Sequence, residues 1–336
     1  MPPRFGSSSC RRTDPGGADR RSIDPEAYNL YLLANRFHYT FKQEDVQRSV
    51  PLYEKAVALE PDLAPAWAML GMAYWWLGGP PASAIAAVEK AVGVDPGSGT
   101  AYAARGVVRG WTWDVSGSNA DHERSLALSP KDPWVIGQYC VHELRMGRYA
   151  SAVATCRQAS DLDPLSAAYW NYITFAHLGA GELSAAKAAN ARALVLSPDS
   201  TVAKYHQCRI AFFSGELSRA VDLCARLPEE IDGLAFTALA RSQLGDADEA
   251  ARALRALVAK AGPTNPGVVA RVYAGLGHTD VAFEWLDRAY ALESTHMALV
   301  FPRHSLSAIK VEPLFRKLHG DARYIALLEK MKLPVD

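Results

Sequence analysis

Apolar residues recur along this chain at helical spacing, in short paired stretches separated by regular breaks. Trp67, Leu70, Gly71 and Tyr74 fall at i, i+3, i+4 and i+7, and Ala84, Val88 and Ala91 at i, i+4 and i+7. Each stripe predicts an amphipathic helix with one buried face. The breaks are periodic. Pro61, Pro96, Pro130, Pro164 and Pro198 are spaced 35, 34, 34 and 34 residues apart, each after a run such as Leu128-Ser129 or Leu162-Asp163. Proline there lacks the N–H that a further helical turn would need. Gly147, Gly181 and Gly215 keep the same period, and Gly245 and Gly277 continue it with shortened steps. These glycines sit where two helices of a pair must turn, and a left-handed backbone costs glycine little.

A helix pair repeating about every 34 residues resembles the tetratricopeptide (TPR) repeat. The unit from Ala64 is similar to the TPR pattern at Trp67, Leu70, Gly71, Tyr74, Ala84, Val88, Ala91 and Pro96, with one residue inserted at Gly79-Pro80-Pro81. Gly71 and Ala84 are expected to let the two helices approach, and Ala91 to admit the next unit. The predicted fold is an all-α TPR superhelical solenoid of about eight helix-turn-helix repeats with a C-terminal helical cap. Units are expected to begin near Pro25, Ala64, Gly99, Pro133, Ala167, Thr201, Ile231 and Pro263, the last ending near Ala298. The first carries a longer connection around Lys42 to Asp45, the sixth is clipped at Leu227-Pro228, and the third is degenerate, with His122 where a large apolar residue is usual.

Residues 1–23 have no hydrophobic periodicity and are expected to be a disordered leader or linker remnant. The array is expected to span 24–298 and the cap 299–336. Tyr324, Leu327 and Leu328, at i, i+3 and i+4, predict the stripe that covers the last repeat, with Leu314 and Phe315 closing its edge.

Three further runs are more specific. They are Asp24-Pro25-Glu26-Ala27-Tyr28-Asn29-Leu30-Tyr31-Leu32-Leu33, Trp111-Thr112-Trp113-Asp114, and Glu312-Pro313-Leu314-Phe315 through Tyr324 to Met331. Together they resemble the TPR tails of bacterial adenylate/guanylate cyclases, winged-helix transcriptional regulators and Ser/Thr kinases. The resemblance implies either a free-standing signalling adaptor or a detached tail whose effector domain is missing, since residues 1–23 cannot hold one.

Composition narrows the function. Hydrophobic residues make up 49% and charged residues 21%, and the formal net charge is +0. That balance argues against nucleic acid or an anionic membrane as the main partner. No stretch approaches the roughly 18 apolar residues of a membrane span. Met1 to Asp24 lacks the apolar core of a secretory signal, and the few cysteines do not form a disulfide framework, so a cytoplasmic location is expected. There is no Gly-rich phosphate loop, GxSxG elbow, HExxH or kinase catalytic loop, so no enzyme, metal or cofactor is expected.

Cys140 and Cys156 are 16 residues apart, as are Cys208 and Cys224, each pair on the two helices of one unit. A redox staple, a metal site with His142 or His206, and a pair of small buried side chains all fit that placement. Free thiols are expected, because packed helix axes usually stand about 8–10 Å apart while a disulfide needs Cα atoms within about 7 Å.

In the TPR resemblance, positions 2, 5, 9, 12 and 13 of each first helix, with position 6 nearby, face the concave side. Projected here, they place Met72, Trp75, Trp76, Trp111, Asn171, Tyr172, Phe175, Tyr205, Arg209 and Phe212 in a groove for a protein or peptide partner. The groove is rich in aromatic rings, which supply contact area at little rotamer cost, and Arg209 is expected to be free for a partner carboxylate. About half of the rings are expected to pack against neighbouring repeats instead. The Lys–Asn carboxylate clamp of TPR co-chaperones is missing, because the fifth and ninth positions read Asn29/Leu33, Ala68/Met72, Ala103/Val107, Gly137/Val141 and Asn171/Phe175.

Overall fold

A computed structural model describes residues 23–40, 42–227, 230–295 and 309–335, with the side chains of 230 and 293–295 outside the description. The expected leader and residues 299–308 of the expected cap therefore lie outside the described residues, apart from Ile23.

Sixteen α-helices, α1 to α16, form eight antiparallel pairs. The pairs are Pro25–His38 with Gln43–Leu59, Ala64–Trp76 with Pro81–Val94, Gly99–Trp111 with Val115–Leu128, and Pro133–Arg145 with Tyr149–Leu162. Then follow Ala167–Ala180 with Leu183–Leu196, Thr201–Phe213 with Leu217–Cys224, Glu230–Gln243 with Ala247–Ala261, and Pro266–Leu276 with Thr279–Thr295. A 3₁₀ helix, Pro313–Leu318, and α17, Ala322–Lys330, complete the described chain, which contains no strand among those residues. This is the expected all-α TPR-type solenoid.

Local chemistry sets the boundaries. Asp24 caps α1, its Oδ1 accepting from the Glu26 and Ala27 amides at 2.7 and 3.1 Å, with Pro25 at the first helical position. Asp132 and Pro133 repeat the device at α7. The second helices α2, α4, α6, α8 and α10 each stop just before the periodic proline. At the turn inside each later pair, Gly78, Gly147, Gly181, Gly215, Gly245 and Gly277 all adopt positive φ. The third unit has Trp113 at that place, with φ 61°. A Cβ at Gly71 would stand 2.5 Å from Val88 Cγ1 and 3.0 Å from the Ala84 carbonyl oxygen, so that close helix approach needs glycine.

Three details differ from expectation. Most of the extra length of the first unit lies in the 17-residue helix α2, and its connection, from His38 to Gln43, is only slightly longer than those of most later units. The sixth unit shortens inside its second helix, since α12 ends at Cys224, and Pro228 lies outside the described residues. The eighth unit starts its first helix at Pro266 rather than Pro263, because a turn occupies residues 262–264.

The free-thiol expectation is corrected. Cys140 and Cys156 form one disulfide and Cys208 and Cys224 another, each with Cα atoms 5.4 Å apart and each fully inside its hairpin. The small neighbours Ala152 and Ala220 are fully buried beside them. Such pairs draw the backbones inside the usual interaxial distance, which the average spacing of packed helices had excluded.

The third unit is not a defect. His122 is buried in the space left by Gly106, where a Cβ would lie 3.0 Å from its ring, and its ring lies tilted against that of His142, 4.5 Å between centroids. Burial lowers the pKa of His122, aided by the His142 and Arg145 charges. It lowers His142 to about 3, aided by Arg145 and Arg148, and His38 to about 4. A depressed folded pKa means that stability is fully present above the unfolded pKa of about 6.5 and is lost as pH falls from there toward the folded values. At pH 5 each neutral histidine is expected to have cost about 2 kcal/mol. Calorimetry from pH 7 to 5 should show a falling Tm, and His122→Phe should flatten that slope.

Candidate concave site

Successive first helices touch one another, whereas second helices pack mainly on their own partner and the following first helix. The first helices therefore form the inner row. Met72, Trp75 and Trp111 are buried in the N-terminal core, with Trp76 half-buried against it. Trp75 lies 5.4 Å from Trp111 and 6.0 Å from Trp76 between ring centroids, and the Arg145 guanidinium sits 5.0 Å over Trp111. On α9, Asn171 is buried, and Tyr172 and Phe175 are half-buried around the Cys140–Cys156 core. Tyr205, Arg209 and Phe212 on α11 are buried. The aromatic residues thus fall into separate clusters, one in the second and third units and the others from the fifth onward.

Arg209 is not free, which corrects one expectation. Its side chain is fully buried, and Nη2 donates to Glu312 Oε2 at 2.9 Å. Arg271 reaches the same oxygen with Nη1 at 3.5 Å, and that Nη1 also donates to the Tyr205 hydroxyl at 3.0 Å. Its Nη2 lies 3.5 Å from Asp232. The rings of Phe175, Tyr205, Phe213 and Phe236 surround the Arg209 guanidinium at 5.2 to 5.9 Å. Burial pushes the Tyr205 hydroxyl up to about 12. Two cations and two anions are thus held in a buried aromatic box, which is tolerable only because each charge has a partner.

Every member of the box except Glu312 comes from the inner row. Phe175, Arg209 and Arg271 occupy the ninth position of the fifth, sixth and eighth units, Tyr205 a fifth position and Asp232 a second. Glu312 comes from the segment after α16, here called the strap, Ile309–Leu318. Sequence periodicity missed this role, because one glutamate between Val311 and Pro313 carries no repeat signal.

The strap is seated along its whole length. The Tyr149 hydroxyl donates to the Lys310 carbonyl at 2.6 Å. Arg316 donates to the Gly179 carbonyl, and Lys317 Nζ to the Gly275 carbonyl at 2.8 Å. Gly179 and Gly275 make room, since a Cβ on them would stand 3.0 Å from Val311 and 3.1 Å from Leu314. Ile309, Val311, Glu312, Leu314, Phe315 and Leu318 are all buried. Tyr324, Leu327 and Leu328 pack with Phe283, Leu286 and Ala289 of α16, so the described C-terminal residues cover the last repeat. The same core takes in Trp113 and Met146, and Trp113 stacks on Tyr290 at 6.3 Å. The C-terminal segment therefore joins the third and fourth units to the eighth across the inner side.

A tetratricopeptide repeat family model matches residues 35–99 and 142–201. PilW, a widely conserved type IV pilus biogenesis factor, is 19% identical, with a TM-score of 0.52 over 59% of this chain and 93% of its own. Human IFIT1, in a dimer with m7Gppp-AAAA, is 14% identical, with a TM-score of 0.60 over 79% of this chain and 72% of its own. The APC/C hetero-tetramer Cut9-Hcn1 is 18% identical, with a TM-score of 0.50 over 68% of this chain and 46% of its own. At these identities the likeness concerns the fold alone. No curated protein matches the sequence. Family match, helix pairing and solved structures agree that the repeats are of TPR type.

Proposed function

We propose that the chain is a non-catalytic scaffold that binds a protein or peptide partner along the inner row of first helices. One observation carries the proposal: that surface already holds a peptide segment, the strap, a turn followed by a 3₁₀ helix, through buried apolar side chains, one carboxylate and first-helix carbonyls. Open carbonyls and aromatic walls suit an extended peptide or an amphipathic helix. Trp76, Tyr172 and Phe175, half-buried on the inner row, are the proposed anchors. Met72, Trp75, Trp111, Asn171, Tyr205 and Phe212 hold the walls in place.

Affinity capture with the intact chain and with Trp76→Ala/Tyr172→Ala, read by quantitative mass spectrometry, tests the reading. The double variant should lose the specific partner while it keeps its helical circular dichroism, with a lower Tm because both rings also pack against the cores. Equal capture by both proteins would refute the assignment of these anchors.

A second reading makes the chain the interaction tail of a signalling polypeptide with a cyclase, kinase or winged-helix effector. What favours it is that two of the runs resembling that family, distant in sequence, meet in one core. Trp113 packs there with Phe315, Tyr324, Leu327 and Leu328. The DNA upstream of the coding sequence tests this directly: an in-frame effector domain supports it and an unrelated gene removes it. Among the described residues no helix is long and apolar enough to cross a membrane.

A further inference from the structure

We infer that the Arg209–Arg271 box is a carboxylate-recognition site for a partner peptide, and that the strap holds it shut as an intramolecular ligand. The inference rests on the proposed peptide-binding function and names the partner's chemistry: an Asp or Glu flanked by aliphatic residues, followed by a turn with apolar side chains.

Charge gives the first argument. With Glu312 withdrawn, Asp232, at 3.5 Å from Arg271, is the carboxylate that the described residues leave beside the two guanidiniums, and a buried net positive charge requires an anion. Hydrogen-bonding capacity gives the second. Arg209 is fully buried, yet its Nε and Nη1 have no hydrogen-bond partner among the described residues, so the box has donors beyond the two that Glu312 Oε2 accepts from, Arg209 Nη2 and Arg271 Nη1. A guanidinium can hold a carboxylate with two parallel bonds, and the strap uses only one.

The way the strap is held gives the third argument. Glu312 Oε1 also accepts from the Leu314 amide at 3.3 Å, capping the 3₁₀ helix whose Leu314 and Phe315 enter the core. One residue thus carries the anion, the turn and the apolar anchor together, as a linear peptide motif does. The polar attachments that follow the turn are peripheral: Arg316 and Lys317 are exposed, donate to the Gly179 and Gly275 carbonyls, and Arg316 also meets the Tyr149 hydroxyl. Trp113 keeps φ 61°, unusual for a large side chain, while packed with Met331 and Leu333 beyond the strap. That far end can stay docked while Val311 to Phe315 leaves the box.

Occupation by the strap lowers apparent affinity for any competitor by the fraction of time the box is open. The probe is a fluorescein-labelled synthetic peptide with the sequence of Ile309–Leu318, alongside the same peptide with Gln in place of Glu. Binding is read by anisotropy on the full chain. Arg316→Ala/Lys317→Ala loosens the strap from the outside and leaves the buried box intact, so it keeps the test valid if Glu312→Gln fails to fold. The double variant should bind the acidic peptide at least about tenfold more tightly than the parent. The Gln peptide should bind at least about tenfold more weakly than the acidic one. Hydrogen exchange should show faster exchange at 311–318 in the double variant.

Faster exchange without tighter binding would overturn the site, as would equal binding of both peptides. A stable dimer of the variant, with one copy's strap in the other's box, would overturn the assignment to an external partner. These outcomes are separable from failure of the broader proposal, which is read at Trp76 and Tyr172 with the strap in place.

Discussion

Arg209→Met is expected to destabilise the protein by about 3–5 kcal/mol, the range found when one partner of a buried ion pair is removed. The side chain is fully exchanged out of water, its Glu312 partner is equally buried, and four aromatic rings close around it. Methionine fills much of the volume, so the loss reports charge rather than a cavity. Glu312 would then keep Arg271, at the longer distance of 3.5 Å, as its charged partner, beside the Leu314 amide at 3.3 Å. Adding Glu312→Gln to Arg209→Met should recover part of the loss, because neutralising the orphaned carboxylate removes the larger penalty. Urea unfolding of the two single variants and the double variant gives the cycle. A loss below about 1 kcal/mol for Arg209→Met would mean that the box is hydrated and that the ion pair behaves like a surface pair.

The same residue shows where sequence reasoning stopped. Its position on the inner row was legible, because Tyr205 and Arg209 are one helical turn apart and fall on the stripe that the repeat period defines. Its partner was not. Glu312 lies 103 residues away, in a segment with no repeat period. The cap itself was legible through Tyr324, Leu327 and Leu328, a local stripe that had to bury somewhere. The reach of the strap along the inner row was not, since it depends on Gly179 and Gly275 leaving space at equivalent places in two distant units.

The groove shows a related limit. Periodicity fixes which side a residue faces, not whether a neighbour covers it. Trp75 and Tyr205 share the inner stripe with Trp76 and Tyr172, yet the first two are buried in packed cores. Trp113 is a case where the pattern itself was obscured. It stands where other units have a left-handed glycine, and a tryptophan carries no expectation of positive φ. The turn is nonetheless in register, and the indole is buried against the C-terminal segment.

Reducing both disulfides is expected to produce the largest change in stability. Each bridge joins residues 16 apart, and a loop of that size is worth about 3 kcal/mol through restriction of the unfolded chain. The two loops lie in the fourth and sixth units and do not overlap, so the losses should add to about 6 kcal/mol. Neighbouring repeats depend on one another for most of their buried area, so the middle of the array should unfold first. Cys140→Ala/Cys156→Ala and Cys208→Ala/Cys224→Ala, separately and combined, distinguish loss of a bridge from general effects of reductant. Urea midpoints give the energies, and hydrogen exchange locates the loosened units. Both pairs are buried, so reductant should act slowly on the folded protein and quickly after partial unfolding. The state in the cell follows from alkylation before lysis and mass spectrometry without reductant. Four blocked cysteines would place the chain in an oxidising compartment, since structural disulfides are rare where glutathione keeps thiols reduced. Alkylated thiols at Cys140, Cys156, Cys208 and Cys224 would restore the cytoplasmic expectation and remove the 6 kcal/mol from the protein's working stability. The close approach of each hairpin would then rest on Ala152 and Ala220 alone.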